Sequence, residues 1–350
     1  MIDSRLMNSD PLVIRVDASV AMGTGHVMRC LALAQAWQDS GGRAVFAVTE
    51  IPPAIRQKLL AESFEVVPVS STPGKPEDTI QTIALGRKQR CEWIVVDGYQ
   101  FGAGYQLALK RAGFKVLFLD DYGHAGRYSA DLVLNQNAGA SAELYGNRDP
   151  QTRLLLGPRY CLLRREFAAW RGWRREITAA GRKVLVTIGG SDPGNLTGLV
   201  VEALRALHDI EATVVVGGSN PHFGDLEQAT WQFGGWLQLR QNASNMSELM
   251  AWADLAVAGA GTTCWEACLL RLPMVLIDIA DNQKPIARSL HALGAAIHLG
   301  AAGDVTEEEI GEQVLSLLAS ETERAVLSER CGKLVDGRGT ERAIDELTRS

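Results

Sequence analysis

Leu12–Gly42 reads LVIRVDASVAMGTGHVMRCLALAQAWQDSGG. Leu12–Val16 is a short apolar run interrupted only by Arg15, the signature of a strand. Gly23-Thr24-Gly25 supplies a flexible turn, and Val27–Asp39 then spaces Met28, Leu31, Leu33, Ala34 and Trp37 for burial on a helix. Gly41-Gly42 ends that helix. A strand passing through a glycine turn into an amphipathic helix is the opening unit of a doubly wound α/β sheet.

The same alternation continues outward. Strands are predicted at Ala44–Val48, Glu65–Pro68, Trp93–Asp97, Lys115–Asp120 and Leu132–Asn135, a helix at Ile55–Glu62, and a loop at Ser70–Asp78. The pattern restarts at Arg182–Ile188. Further strands follow at Ala212–Val216, Leu237–Arg240, Leu255–Ala258 and Met274–Ile277, with helices at Leu196–Leu207, Met246–Trp252 and Lys284–Leu293. Alternating strands and helices predict a parallel sheet covered on both faces. The expected organisation is a Rossmann-like N-terminal domain over 11–157, a linker region over 158–181 and a C-terminal Rossmann-like domain over 182–345. The linker carries Arg164, Arg165, Arg171, Arg174 and Arg175, which read as a solvated helix face.

The 350 residues, 46% hydrophobic and 22% charged, supply material for two cores. A formal charge of −6 argues against nucleic acid as a partner, which requires basic surface. It leaves room for a small anionic ligand held by backbone N–H groups. Met1–Pro11 is short and polar, so no secretory signal is expected, and no apolar run reaches membrane-spanning length. The six Cys form no C-x-x-C pair and read as buried free thiols, consistent with a reducing cytoplasm.

Ligands of open α/β sheets bind beyond the carboxyl ends of the strands. Asp17–Arg29 (DASVAMGTGHVMR) places His26 at a helix start, where it can serve as a general base beside a phosphate-type turn. Ile188–Asn195 (IGGSDPGN) offers Gly189, Gly190 and Ser191 to a pyrophosphate, with Asp192-Pro193 as the helix start. Gly259–Glu266 (GAGTTCWE) ends in Thr262 and Thr263 at another helix start, and Glu266 can accept two hydrogen bonds from a ribose diol. Asp278–Lys284 (DIADNQK) brings Asn282 and Gln283 to the same edge. Their plainer readings are, in turn, a glycine turn with a structural histidine, a capped helix start, an acidic residue complementing the helix dipole and an ordinary Asn cap. Asp97 and the pair Asp120-Asp121 close strands; they read either as a metal or acid–base pair or as turn caps. The absence of a D-x-D motif favours a mechanism without metal, and no cofactor is expected.

These motifs, with VDGYQF, FLDDYGH, LVLNQN and AGAGTTCWEACLLRLPMVL, resemble the UDP-sugar hydrolase family of the pseudaminic acid pathway from about Ile14 to Gly294. The second half is also similar to the peptidoglycan N-acetylglucosaminyltransferase that makes lipid II. The resemblance implies a GT-B fold: two Rossmann-like doubly wound domains with a substrate cleft between them. It implies hydrolysis of UDP-2,4-diacetamido-2,4,6-trideoxy-β-L-altropyranose to UDP and the free sugar, with water attacking the anomeric carbon and inverting it. By that analogy His26 orients or deprotonates the water, and Gly23, Thr24 and Gly25 lie beside the diphosphate. Ser191, Gly261, Thr262 and Thr263 hold the phosphates, and Glu266 takes the ribose. Met246 lies near the uracil, and Asn282 and Gln283 reach the diphosphate and sugar. Tyr99 and Asp17 are weaker candidates for the sugar side. The alternatives are a transferase of the same fold, which needs an acceptor site, and a noncatalytic binder.

Overall fold

The computed structural model describes residues 11–19, 22–230 and 235–349. Residues 1–10, where no secretory signal is expected, lie outside them, as do residues 20 and 21 of the glycine-turn motif. The chain forms two compact units. One contains Thr24–Arg165, the first strand and the residues from Arg338 onward; the other contains Glu166–Gly337.

The first unit is built on seven parallel strands: β1 Pro11–Val16, β2 Arg43–Val48, β3 Glu65–Pro68, β4 Trp93–Asp97, β5 Lys115–Leu119, β6 Leu132–Asn135 and β7 Arg153–Leu156. Their order is β3-β2-β1-β4-β5-β6-β7. Successive side chains of a strand face opposite sides of the sheet. Leu12, Ile14 and Val16 accordingly share a core with Val27, Cys30, Leu31 and Ala34 of the helix Gly25–Asp39. Val13 packs on the other side with Phe101, Tyr105 and Leu109. Arg15 is fully buried, and its Nε and Nη2 each donate at 2.9 Å to the two oxygens of Asp78. That anchor lies inside the helix Pro76–Gln89, so the predicted loop Ser70–Asp78 gives way to helix at Pro76.

The second unit holds six parallel strands: β8 Lys183–Thr187, β9 Glu211–Val216, β10 Leu237–Gln241, β11 Leu255–Gly259, β12 Met274–Asp278 and β13 Ile297–Ala301. Their order is β10-β9-β8-β11-β12-β13. Among the described residues no helix is long and apolar enough to cross a membrane. All six Cys are free and buried.

Two features of the expected domain boundaries change. The helix Gly339–Arg349 belongs to the first unit, because Ala343, Ile344 and Leu347 join the core that covers the helix Gly25–Asp39. A Cβ on Gly339 would run into the Cys161 backbone, so only glycine allows this approach. The 158–181 segment is divided between the units and is not a solvated helix face. Arg165 reaches back to Asp39, Gln38 and Glu62 in the first unit. Arg175 in the second donates to five carbonyls, those of Met250, Ala251, Ala253, Leu270 and Arg271. These lie at the ends of the helices Met246–Trp252 and Thr263–Leu269, where carbonyls lack helical partners. Burial pushes the guanidinium down to about 10, which leaves it charged at neutral pH.

The Asp120-Asp121 pair following β5 is also divided in role. Asp120 caps its turn, accepting the amides of Tyr122 at 2.9 Å and Gly123 at 3.0 Å, the hydroxyl of Tyr128, and His124 Nδ1 at 3.2 Å. Burial presses Asp120 upward, but His124, Tyr128 and the Tyr122 amide outweigh it and hold the carboxyl at about 2. Burial presses His124 downward, and its hydrogen bond and charge attraction to Asp120 raise it overall.

Two outcomes follow for stability. Arg175→Met strands carbonyls at two helix ends and is expected to lower the unfolding free energy by about 2–4 kcal/mol. Urea denaturation should show an earlier midpoint at unchanged slope. For the Asp120–His124 pair, the raised histidine stabilises fully below its ordinary value of 6.5 and loses its contribution as pH rises through the folded value. The depressed carboxyl stabilises above an ordinary value of about 4 and fades as pH falls toward 2. His124→Gln should therefore cost about 1 kcal/mol at pH 5 and much less at pH 9. Equal losses in denaturation experiments at the two pH values would contradict the pairing.

Candidate active site

Each sheet has one point where neighbouring strands send their connections in opposite directions. In the first sheet it lies between β1 and β4, and in the second between β8 and β11. Crevices form at such switch points, outside the carboxyl ends of the strands.

At the first switch point, β1 leads through Gly23, with a φ of +80°, and Thr24 into the helix beginning at Gly25. Thr24 makes no side-chain cap, and the first turn of this helix carries no acidic residue. His26 and Arg29 are three apart and share one face of the helix. Both reach Asp97, the last residue of β4. His26 Nδ1 lies 2.6 Å from Asp97 Oδ1. Arg29 closes a fork on the same carboxylate, with Nε 2.7 Å from Oδ2 and Nη2 2.7 Å from Oδ1. The Cys30 thiol lies 3.4 Å from Oδ2.

Asp97 is fully buried. Burial alone would raise its pKa, but the charge of Arg29, then that of His26, and their hydrogen bonds hold it well below the usual carboxylate range. An ionised carboxylate only accepts. In its neutral form the His26 ring would donate the Nδ1 proton to this carboxylate and carry its lone pair on Nε2. This is the orientation required of a general base.

Beyond Arg29, Nη1 donates to Asp121 Oδ1 at 2.7 Å. The Tyr99 hydroxyl donates to Asp121 Oδ2 at 2.8 Å, and Asn137 Nδ2 donates to Oδ1 at 3.0 Å. The Tyr99 ring stands edge-on to His26, with centroids 4.9 Å apart. The structure thus brings His26, Tyr99 and the glycine turn together at one crevice. It adds Asp97, Arg29, Asp121 and Asn137, of which only the aspartates stood out in the sequence, with alternative roles. The signal for Arg29 was its three-residue spacing from His26.

Asp17 does not face this crevice as a free acceptor. Its Oδ1 takes the amides of Thr49 at 2.6 Å and Glu50 at 3.2 Å and pairs with Arg15 Nη1 at 2.8 Å. Its Oδ2 takes Gln100 Nε2 at 3.2 Å. Asp17 is the tie between the loops after β1 and β2.

At the second switch point the backbones following β8 and β11 touch. A Cβ on Gly259 would lie 2.5 Å from the Ile188 carbonyl oxygen. Gln283 lies beside them: its Oε1 accepts from the Ile279 amide at 3.3 Å, and its Nε2 sits 3.9 Å from where a Gly261 Cβ would be. Gly261, Thr262, Thr263, Glu266, Asn282 and Gln283 thus share the edge formed by the ends of β11 and β12, and Ser191 follows β8. Thr262 caps the helix Thr263–Leu269 without a side-chain hydrogen bond, and Glu266 is buried within its first turn. Met246 is buried at the start of its helix, beyond β10.

The IGGSDPGN stretch departs from its sequence reading. The helix starts at Leu196 rather than at Asp192-Pro193. Asp192 accepts the amides of Leu196 at 2.9 Å and Thr197 at 2.8 Å, and the Asn195 side chain accepts that of Gly198 at 3.3 Å. The chain's own acceptors fill this helix start. A residue absent from the sequence reading, His298, contacts Asp278 Oδ2 through Nε2 at 2.9 Å. Among the described residues no three His, Cys, Asp or Glu are grouped so as to hold a metal ion.

Known proteins resemble this chain in both sequence and fold. Residues 184–333 match the glycosyltransferase family 28 C-terminal domain. The chain spans 56% of the length of a Methanocaldococcus jannaschii protein (26% identical over 280 residues, 78% of this chain). It spans 66% of the spore coat polysaccharide biosynthesis protein SpsG of Bacillus subtilis (29% identical over 232 residues, 64% of this chain). It spans 97% of the UDP-2,4-diacetamido-2,4,6-trideoxy-beta-L-altropyranose hydrolase of Campylobacter jejuni, at 25% identity over 81% of this chain. The crystal structure of MurG from Acinetobacter baumannii superposes with a TM-score of 0.67 at 16% identity, covering 97% of this chain and all of that one. The two Rossmann-like units are those of the GT-B fold.

Proposed function

We propose that this chain hydrolyses a UDP-activated deoxyamino sugar, UDP-2,4-diacetamido-2,4,6-trideoxy-β-L-altropyranose, to UDP and the free sugar. The observation that carries this reading is the His26–Asp97 pair at the first switch point, in which Nδ1 faces the carboxylate and leaves Nε2 as the nitrogen that can act as a base. Similarity to the Campylobacter jejuni hydrolase along 97% of its length supports the choice of substrate.

In this reading His26 Nε2 takes a proton from water as the water oxygen bonds to the anomeric carbon. The bond from that carbon to the β-phosphate oxygen breaks, its electron pair leaves with UDP, and the centre inverts. UDP is a competent leaving group, so positioning and charge stabilisation dominate over acid catalysis. Gly261, Thr262, Thr263 and Ser191 offer amides and hydroxyls to the departing phosphates. Glu266 takes the ribose hydroxyls, Met246 lies toward the uracil, and Asn282 and Gln283 serve the diphosphate and sugar. Gly23, Thr24 and Gly25 lie on the diphosphate side of His26, and Tyr99 on the sugar side. The six buried thiols suit a reducing cytoplasm.

A second reading, a transferase with an alcohol in place of water, is favoured by the glycosyltransferase family 28 match over 184–333. UDP release with water as sole acceptor separates the two. His26→Ala should lower kcat for that release by about 10²–10⁴-fold. UDP affinity, measured by calorimetry, should stay within about twofold, because His26 serves the chemical step. Full activity in His26→Ala would remove the base assignment.

A further inference from the structure

The charged and titratable groups facing His26 are Asp97 from β4, Arg29 from its own helix, Tyr99 after β4 and Asp121 after β5. Cys30 lies beneath Asp97, and Asp120, His124 and Tyr122 stand behind Asp121 and Tyr99. Within this group one nitrogen has two addresses. Arg29 Nη2 is 2.7 Å from Asp97 Oδ1 and 3.1 Å from His26 Nδ1. A guanidinium only donates. The two addresses therefore correspond to two opposite states of the neutral imidazole.

With Nη2 directed at Asp97, His26 Nδ1 keeps its proton, donates it to Asp97, and leaves Nε2 as the lone pair. With Nη2 directed at Nδ1, that nitrogen must accept. The proton then sits on Nε2, and the ring cannot take a proton there. The direction of the Arg29 fork selects the tautomer. The fork is fixed from its far side, where Nη1 is held by Asp121 Oδ1 at 2.7 Å. Asp121 is itself held by Asn137 at 3.0 Å and by Tyr99 at 2.8 Å.

We propose that Asp121 is a positioning residue: by holding the far nitrogen of Arg29 it keeps the fork on Asp97 and keeps His26 in the tautomer whose Nε2 is a base. Burial alone would favour the neutral acid at Asp121, but Arg29 outweighs it and the pKa is lowered, so the holding charge persists. The consequence for catalysis rests on His26 being the base; the tautomer itself does not.

The test is ¹⁵N NMR of the full chain labelled in histidine, with His26 picked out from the six histidines by its loss in His26→Gln. Two-bond nitrogen–proton correlations distinguish a protonated from an unprotonated ring nitrogen. The wild type should show Nδ1 protonated and Nε2 bare. Asp121→Asn should move the ring toward the Nε2–H form, and Asp121→Glu, which keeps the charge, should restore the wild-type pattern. UDP release from the altropyranose nucleotide should fall at least about tenfold in kcat in Asp121→Asn, with KM changed by less than about twofold. A wild-type ring already carrying its proton on Nε2 overturns the proposal without any variant, and so does Asp121→Asn with an unchanged tautomer. If Asp121→Asn fails to fold, Nε2–H in Asp121→Glu overturns it instead. Undiminished activity in His26→Ala would sink the base assignment while leaving the tautomer result to judge Asp121.

Discussion

Arg29 and Asp97 form a buried ion pair on which the first crevice depends. Removing a carboxylate from water costs several kcal/mol unless its lone pairs are filled by good donors. Asp97 meets that demand with a two-pronged guanidinium, an imidazole and a thiol. Arg29 in turn is balanced by Asp121, so the buried charges alternate in sign from β4 to β5. Breaking such a pair by removing one partner costs about 3–5 kcal/mol. The histidine is therefore held by a buried ion pair made of the chain's own residues.

Most of the sheet was legible in the sequence because parallel strands buried on both faces are nearly continuous apolar runs. Trp93–Asp97 and Met274–Asp278 were read to within a residue for that reason. β13, Ile297–Ala301, was not read: every residue is partly exposed and its pairing with β12 shifts register at Leu276/Ile277. The place of the helix Gly339–Arg349 in the first unit was not legible. Its partners, the helix Gly25–Asp39 and the backbone near Cys161, lie far away in sequence, and local periodicity carries no record of them.

The crevices were legible as places more than as lists of atoms. Glycine turns between strand and helix mark both switch points, and His26 follows from that context. Short polar side chains at strand exits were the least legible: Asp17 carried a sugar-side expectation, and Asp192 was read as a helix start that falls at Leu196. Both proved to serve the chain: Asp17 binds the loop after β2, and Asp192 caps its own helix. Arg175 is the same lesson with opposite charge, a cation read as solvated that is spent on helix-end carbonyls.

The central claim is that water, made nucleophilic by His26, attacks the anomeric carbon of a UDP-sugar. It is tested most directly by turning over the altropyranose nucleotide in ¹⁸O-labelled water and locating the label by mass spectrometry. The account predicts one ¹⁸O at the anomeric position of the released sugar and none in UDP. Label in the β-phosphate of UDP, or no UDP release until an alcohol acceptor is supplied, would contradict it.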